Sequence, residues 1–187
     1  LNIINDKTIN VRLHCISMIP INNLISDNQI WNIILFETKA LNTFCNILND
    51  SNIDQNLFIE ICMGIENGID YCDNLILNKL IDEYYIIQIV CKSFKQILTI
   101  NRKENVKHQV FIFFCSFILK FLIEKDEDLI IKVVKIIQNI GGEEIIENIM
   151  NIYLNYKIDD FNDEEKKDIQ NIIILTGIIK DILENNK

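Results

Sequence analysis

The chain has few of the residues that interrupt helices. One proline, Pro20, and five glycines in 187 residues are too few for a sheet protein of this length, in which each tight turn needs its own Gly, Pro or Asn-Gly signal. Basic charge is also short: 18 Lys and Arg stand against 27 Asp and Glu, for a net charge of −9 and a pI near 4.7. A phosphate backbone is bound by cations that displace its counterions, so nucleic acid is excluded as a first reading. The only two histidines, His14 and His108, have no ligand-like spacing to any cysteine, and no metal site is expected. The six cysteines, at 15, 45, 62, 72, 91 and 115, contain no C-x-x-C pair. Nearly all fall at apolar helical positions, so they read as reduced core thiols in a reducing compartment, the cytoplasm or the nucleus.

Chemistry-bearing motifs are missing too. G-x-x-x-x-G-K-[ST], G-x-G-x-x-G and G-x-S-x-G do not occur, so phosphate cradles and nucleophile elbows lack their local basis. His14 adjoins Cys15, but neighbours on a helix do not face one another, and a structural imidazole beside a buried thiol is the expectation. No catalysis and no cofactor are expected. The longest apolar run, Val110 to Ile123, is broken by Ser116 and Lys120 and falls short of the roughly 20 residues that span a bilayer. It reads as a buried core helix. No secretory signal precedes the first polar residues, and a start at Leu1 rather than Met reads as part of a longer protein.

What remains is amphipathic helix. Hydrophobic residues make up 49% and charged residues 24%, enough for one continuous core in a single domain. Isoleucine and asparagine are in excess, as in an AT-rich coding sequence, so β-branched isoleucine is not taken as a strand signal. From Leu129 to Ile140 apolar residues recur at helical spacing; Gly141-Gly142 interrupts, and Ile145, Ile146, Ile149, Met150 and Tyr153 resume it. The same reading along the chain gives ten helices, at about 8–19, 28–36, 39–49, 54–66, 71–81, 83–99, 104–124, 127–140, 143–156 and 163–185. Ser26-x-x-Gln29, Ser51-x-x-Asp54, Asn101-x-x-Glu104 and Asn162-x-x-Glu165 read as N-terminal caps. Gly68 and Gly141 suit left-handed positions at helix ends, and Pro20 closes the first helix. The helices around Val110–Cys115 and Ile172–Ile179 are apolar nearly all round, so each needs cover on more than one side. The last one either packs back on earlier helices or leaves an apolar patch for a partner, a second copy or a further repeat.

From Ile53 onward the helices group in threes, each set closing on a longer helix entered through a sharp turn. The segment Lys135-Ile-Ile-Gln-Asn-Ile-Gly-Gly-Glu-Glu-Ile-Ile-Glu-Asn-Ile-Met150 resembles an armadillo repeat, and Lys39 to Asn49 resembles the closing helix of an earlier one. Corresponding turns at Asp82 and Gly141 lie 59 positions apart (141 − 82), longer than the roughly 40–47 of an armadillo or HEAT unit. The resemblance implies an all-α, right-handed α-α superhelix of armadillo or HEAT type acting as a protein-interaction scaffold. In importin-α-like members a Trp and an Asn one turn apart line a peptide groove. The only tryptophan here, Trp31, has Leu35 one turn on, so nuclear-signal binding does not carry over.

Candidate groove residues are Asn67 and Asn139, near helix ends where such an asparagine would be sought, with Glu143 and Glu144 beside the second. Glu143, Glu144 and Glu147 also suit a helix start for dipole reasons alone. A local basic stretch of Lys92, Lys95, Arg102, Lys103, Lys107 and His108 is a candidate docking patch for an acidic partner. Overall acidity points instead to a basic or amphipathic protein segment as the main partner. Two other readings stay open: a self-associating assembly domain using the last helix, and a small helical enzyme or ligand-binding domain with a pocket built from distant residues.

Overall fold

A computed structural model of the chain describes residues 39–101, 106–123, 125–156 and 161–186. These form eight helices and no strand: α1 (Ala40–Leu48), α2 (Gln55–Ile69), α3 (Asn74–Asp82), α4 (Ile86–Ile100), α5 (His108–Leu122), α6 (Glu127–Asn139), α7 (Gly142–Leu154) and α8 (Asp163–Asn185). The protein is all-α, and the eight helices expected from residue 39 onward are present with ends shifted by a few residues. The two helices expected before them lie outside the described residues, together with Ser26, Pro20, His14, Cys15 and Trp31.

Short acceptor side chains start four of the eight helices by binding amides that have no intrahelical partner. Asp54 Oδ1 accepts from the amides of Asn56 at 2.8 Å and Leu57 at 3.4 Å. Asp73 Oδ1 accepts from Ile76 at 2.9 Å, and Asp126 Oδ1 from Asp128 at 2.9 Å. At α8 the capping box is complete: Asn162 Oδ1 accepts from the Glu165 amide at 3.0 Å, while the Asn162 amide donates to Glu165 Oε2 at 3.1 Å.

Three local expectations are corrected. Asp54 itself, not Ser51, caps α2. Asn101 closes α4 instead of opening the next helix, its Nδ2 donating back to the carbonyl of Ile97 at 3.1 Å. Gly68 is not left-handed; it lies inside α2, which runs on to Ile69.

The left-handed backbone occurs elsewhere, and with a regular placement. Lys39 (φ 61°), Tyr85 (φ 51°) and Gly141 (φ 68°) each immediately precede a helix, namely α1, α4 and α7. Every third helix is therefore entered through the same sharp left-handed turn. Only at Gly141 does the residue type suit it, because a Cβ is crowded at positive φ.

The chain divides into two compact units, Leu1–Val106 and Lys107–Lys187. In the first, α4 is central and packs against α1, α2 and α3. Phe44, Phe58 and Phe94 are fully buried there, and the rings of Phe58 and Phe94 lie 6.3 Å apart and tilted at 41°. Removing each such side chain from water contributes roughly 1.5–3 kcal/mol, so aromatic burial is a large part of what holds so few helices together.

In the second unit α8 packs against α5 and α7, and α6 bridges α5 and α7 in sequence order. Nine residues of α5 are buried, among them Phe111, Phe114, Phe117 and Phe121. That accounts for the apolar run: it is covered on several sides by the α5 contacts with α6 and α8. No helix among the described residues is long and apolar enough to cross a membrane.

Candidate functional site

A cleft lies in the second unit, between α7 and α8. Its position follows from the turn at Gly141-Gly142. The left-handed Gly141 reverses the chain after α6, and Gly142 brings the start of α7 against Ile137. A Cβ at Gly142 would collide with Ile137 Cγ2 and stand 2.9 Å from the Ile137 carbonyl oxygen. This approach sets Glu143 and Glu144 in the first turn of α7, where the helix dipole favours carboxylates. Gln138 Nε2 donates to Glu143 Oε1 at 3.2 Å across the same turn and fixes that side chain.

One turn along α7 comes Glu147, and opposite both stands the C-terminal half of α8. Glu143, Ile146, Glu147, Lys180, Leu183 and Glu184 line the cleft, which is shallow and open to solvent. Ile146 and Leu183 are buried and form its apolar floor. Lys180 Nζ lies 3.8 Å from Glu184 Oε1, an i,i+4 pair with both groups in solvent contact. Such a pair is worth only a few tenths of a kcal/mol. Three carboxylates against one ammonium leave the rim with two net negative charges (3 − 1).

The sequence candidates fall in different places. Glu143 lines the cleft; Glu144, beside it, is exposed and does not. Asn139 is exposed at the last position of α6 and also stands outside the lining. Asn67 is half-buried near the end of α2 and belongs to the other unit. Lys92 and Lys95 are exposed on α4, and Lys92 Nζ donates to Asn49 Oδ1 at 3.3 Å, tying α4 to the end of α1. Arg102 and Lys103 lie outside the described residues. Lys180 and Glu184 were not singled out from the sequence, and their i,i+4 spacing on a helix opposite another i,i+4 pair, Glu143 and Glu147, was the available signal.

No protein-family model matches the chain. Neither does a curated protein or a solved structure. The chemistry of the site must therefore be read from the residues themselves.

Four of the described thiols are poor nucleophiles. Cys45, Cys62, Cys91 and Cys115 are buried and unbridged. Burial pushes Cys45 up to about 11 and Cys91 to about 12, and it raises Cys62 and Cys115 as well. A thiol that holds its proton at neutral pH neither attacks a carbonyl nor binds a metal readily. No cluster of three or more His, Cys, Asp or Glu side chains among the described residues has a metal-holding arrangement.

His108 is packed into an aromatic group instead of lining the cleft. Its ring meets Tyr153 edge-on at 5.5 Å and lies 6.3 Å from Tyr156 and 6.1 Å from Phe161. Tyr153 also meets Phe111 edge-on at 5.1 Å. Burial drives the Tyr153 phenol well above its ordinary range. These rings pin the start of α5 to the end of α7, which is a packing role.

Proposed function

We propose that the chain is a protein-interaction scaffold of armadillo-like type, and that the α7–α8 cleft receives a basic side chain of an amphipathic partner segment. One observation carries this reading: a negative rim over an apolar floor, in a chain that is itself acidic. A Lys or Arg stem covers Ile146 and Leu183 while its charged head meets Glu143 and Glu147, so both parts of the side chain find complementary surface. Stacked helices present such side chains along a rigid face, and faces of this kind take peptides and helices without catalysis.

The regular left-handed entry into α1, α4 and α7 supports the repeat grouping. So does the packing within each unit. In the first, α1 packs on α4, the closing helices of successive triplets; in the second, α5 packs on α8, their opening helices. Like-on-like stacking is what consecutive repeats produce.

The test uses a fluorescein-labelled amphipathic helical peptide carrying Lys at every fourth position, with a Glu-substituted peptide as control. Binding of the Lys peptide to the full chain, weakened about tenfold by Glu143→Gln with Glu147→Gln and weakened further by salt, supports the reading. Equal binding of both peptides, or binding indifferent to the two substitutions, removes it.

A further inference from the structure

The outer face of α8 carries a second, independent surface that shares no residue with the cleft. Lys167, Asn171, Ile174, Ile178, Asp181 and Asn185 are all exposed. They follow one another at alternating spacings of four and three, which is the repeat of a coiled-coil seam. The opposite side of the helix, through Ile169, Ile172, Thr176, Ile179 and Leu183, is the buried one. Ile174 and Ile178 keep 59% and 39% of their surface exposed, and Leu175 and Ile182 beside them are half-buried. Two adjacent isoleucines at the centre of a polar seam are costly to leave in water.

Gly177 adds a second observation. Glycine is unfavourable in a helix interior relative to alanine, and a Cβ at this position would meet nothing within 4 Å. The packing of the described residues therefore gives no reason for the missing side chain. Close approach of another backbone would.

We propose that α8 pairs antiparallel with α8 of a second copy of this chain. The charges choose both the occupant and the direction. One Lys and one Asp give the seam no net charge, so it offers nothing to the basic segment that suits the cleft. In a parallel pair Lys167 would meet Lys167 and Asp181 would meet Asp181, two like-charge layers. In the antiparallel register that sets Ile174 against Ile178 (sum 352), Asn171 faces Asp181 of the second copy (171 + 181 = 352). Lys167 then faces Asn185 (167 + 185 = 352). Every polar layer joins groups that can hydrogen bond, and none repeats a charge. The flanking positions in this register place Gly177 opposite Gly177 and Leu175 opposite Leu175 beside the two-fold axis. The two backbones can then approach closely on the glycine side, with an apolar contact on the other.

A single helix pair of this length lies below the roughly 1,200 Å² typical of stable complexes, so the dimer is reversible and concentration-dependent. Each copy carries −9, and added salt screens the mutual repulsion and strengthens pairing. That is opposite to the salt response of the cleft, which keeps the two readings experimentally separate.

Sedimentation velocity of the full chain over a dilution series tests the proposal. The expected result is a monomer–dimer equilibrium whose dissociation constant rises at least tenfold in Ile174→Glu and in Gly177→Leu, with far-UV circular dichroism unchanged in both. Mild oxidation of a mixture of Asn171→Cys and Asp181→Cys chains should give a crosslinked heterodimer, above the background of the native thiols. Either variant alone should not crosslink above that background. A chain monomeric up to its solubility limit, a dimer undiminished by both Ile174→Glu and Gly177→Leu, or crosslinking of Asn171→Cys with itself would overturn it.

Discussion

The hydroxyl of Ser93, fully buried on α4, donates to the main-chain carbonyl of Leu48, the last residue of α1. The same oxygen lies 2.9 Å from the carbonyl of Ile89 one turn back in its own helix, and its single proton serves one acceptor at a time. A carbonyl at a helix C-terminus has no intrahelical donor. Ser93 supplies one from 45 residues away and thereby fixes where α1 ends against α4.

Replacing Ser93 by Ala should therefore cost about 1–2 kcal/mol, because the carbonyl is left buried without its donor while almost no volume is lost. Urea unfolding followed by circular dichroism measures it. Ser93→Thr, which retains the hydroxyl, should recover part of the loss, whereas an unchanged midpoint in Ser93→Ala would mean that water satisfies Leu48.

Two glycines invite opposite outcomes from one substitution. Gly142→Ala forces a methyl against Ile137 Cγ2 and the Ile137 carbonyl, and should destabilise by about 1–3 kcal/mol as the α6–α7 turn opens. Gly177→Ala meets only open space and should stabilise by roughly 0.5–1 kcal/mol through helix propensity. Thermal unfolding of both variants in dilute solution, where any association is negligible, checks the sign of each.

The periodicity of the apolar residues made the helices readable from Ala40 to Asn185, because 3.6-residue spacing is a local property. The turns were less legible. Gly141 announced its own left-handed backbone, but Lys39 and Tyr85 adopt the same conformation with side chains that carry no such signal. At Tyr85 the turn joins two helices, α3 and α4, that pack on one another. The cleft was half visible for a similar reason. Glu143 and Glu147 stand at a helix start and draw attention, whereas Lys180 and Glu184 lie 37 positions further on (180 − 143 = 184 − 147) and join them only through the docking of α8 on α7. Asn101 misled because asparagine caps either end of a helix equally well in sequence, and only its bond to Ile97 decides between them.

Tyr85 offers a direct measure of turn strain. Its side chain is 57% exposed, so few contacts offset the cost of a left-handed backbone, which is about 1–2 kcal/mol for an ordinary L-residue. Asparagine tolerates this region and valine does not. Tyr85→Asn should be more stable than Tyr85→Val by about 1 kcal/mol or more, with the native Tyr between them. A reversed order in denaturant midpoints would show that the ring's remaining contacts outweigh the backbone term.

The buried thiols set an alkaline limit on the fold. Cys45 and Cys91 have pKa values near 11 and 12 in the folded chain, against 9.0 when unperturbed. Between about pH 9 and 12 the unfolded chain loses these protons while the folded chain keeps them. The folded state then binds more protons, and stability must fall as pH rises through that window. Below pH 9 both states are protonated and this contribution is fully present. Urea midpoints at pH 7, 8 and 10 should be level over the first interval and drop over the second. In Cys91→Ala the packing loss appears at every pH, but the alkaline drop should be smaller than in the native chain. A drop of the same size in that variant would assign the titration to other groups, of which buried Tyr153 is the next to examine.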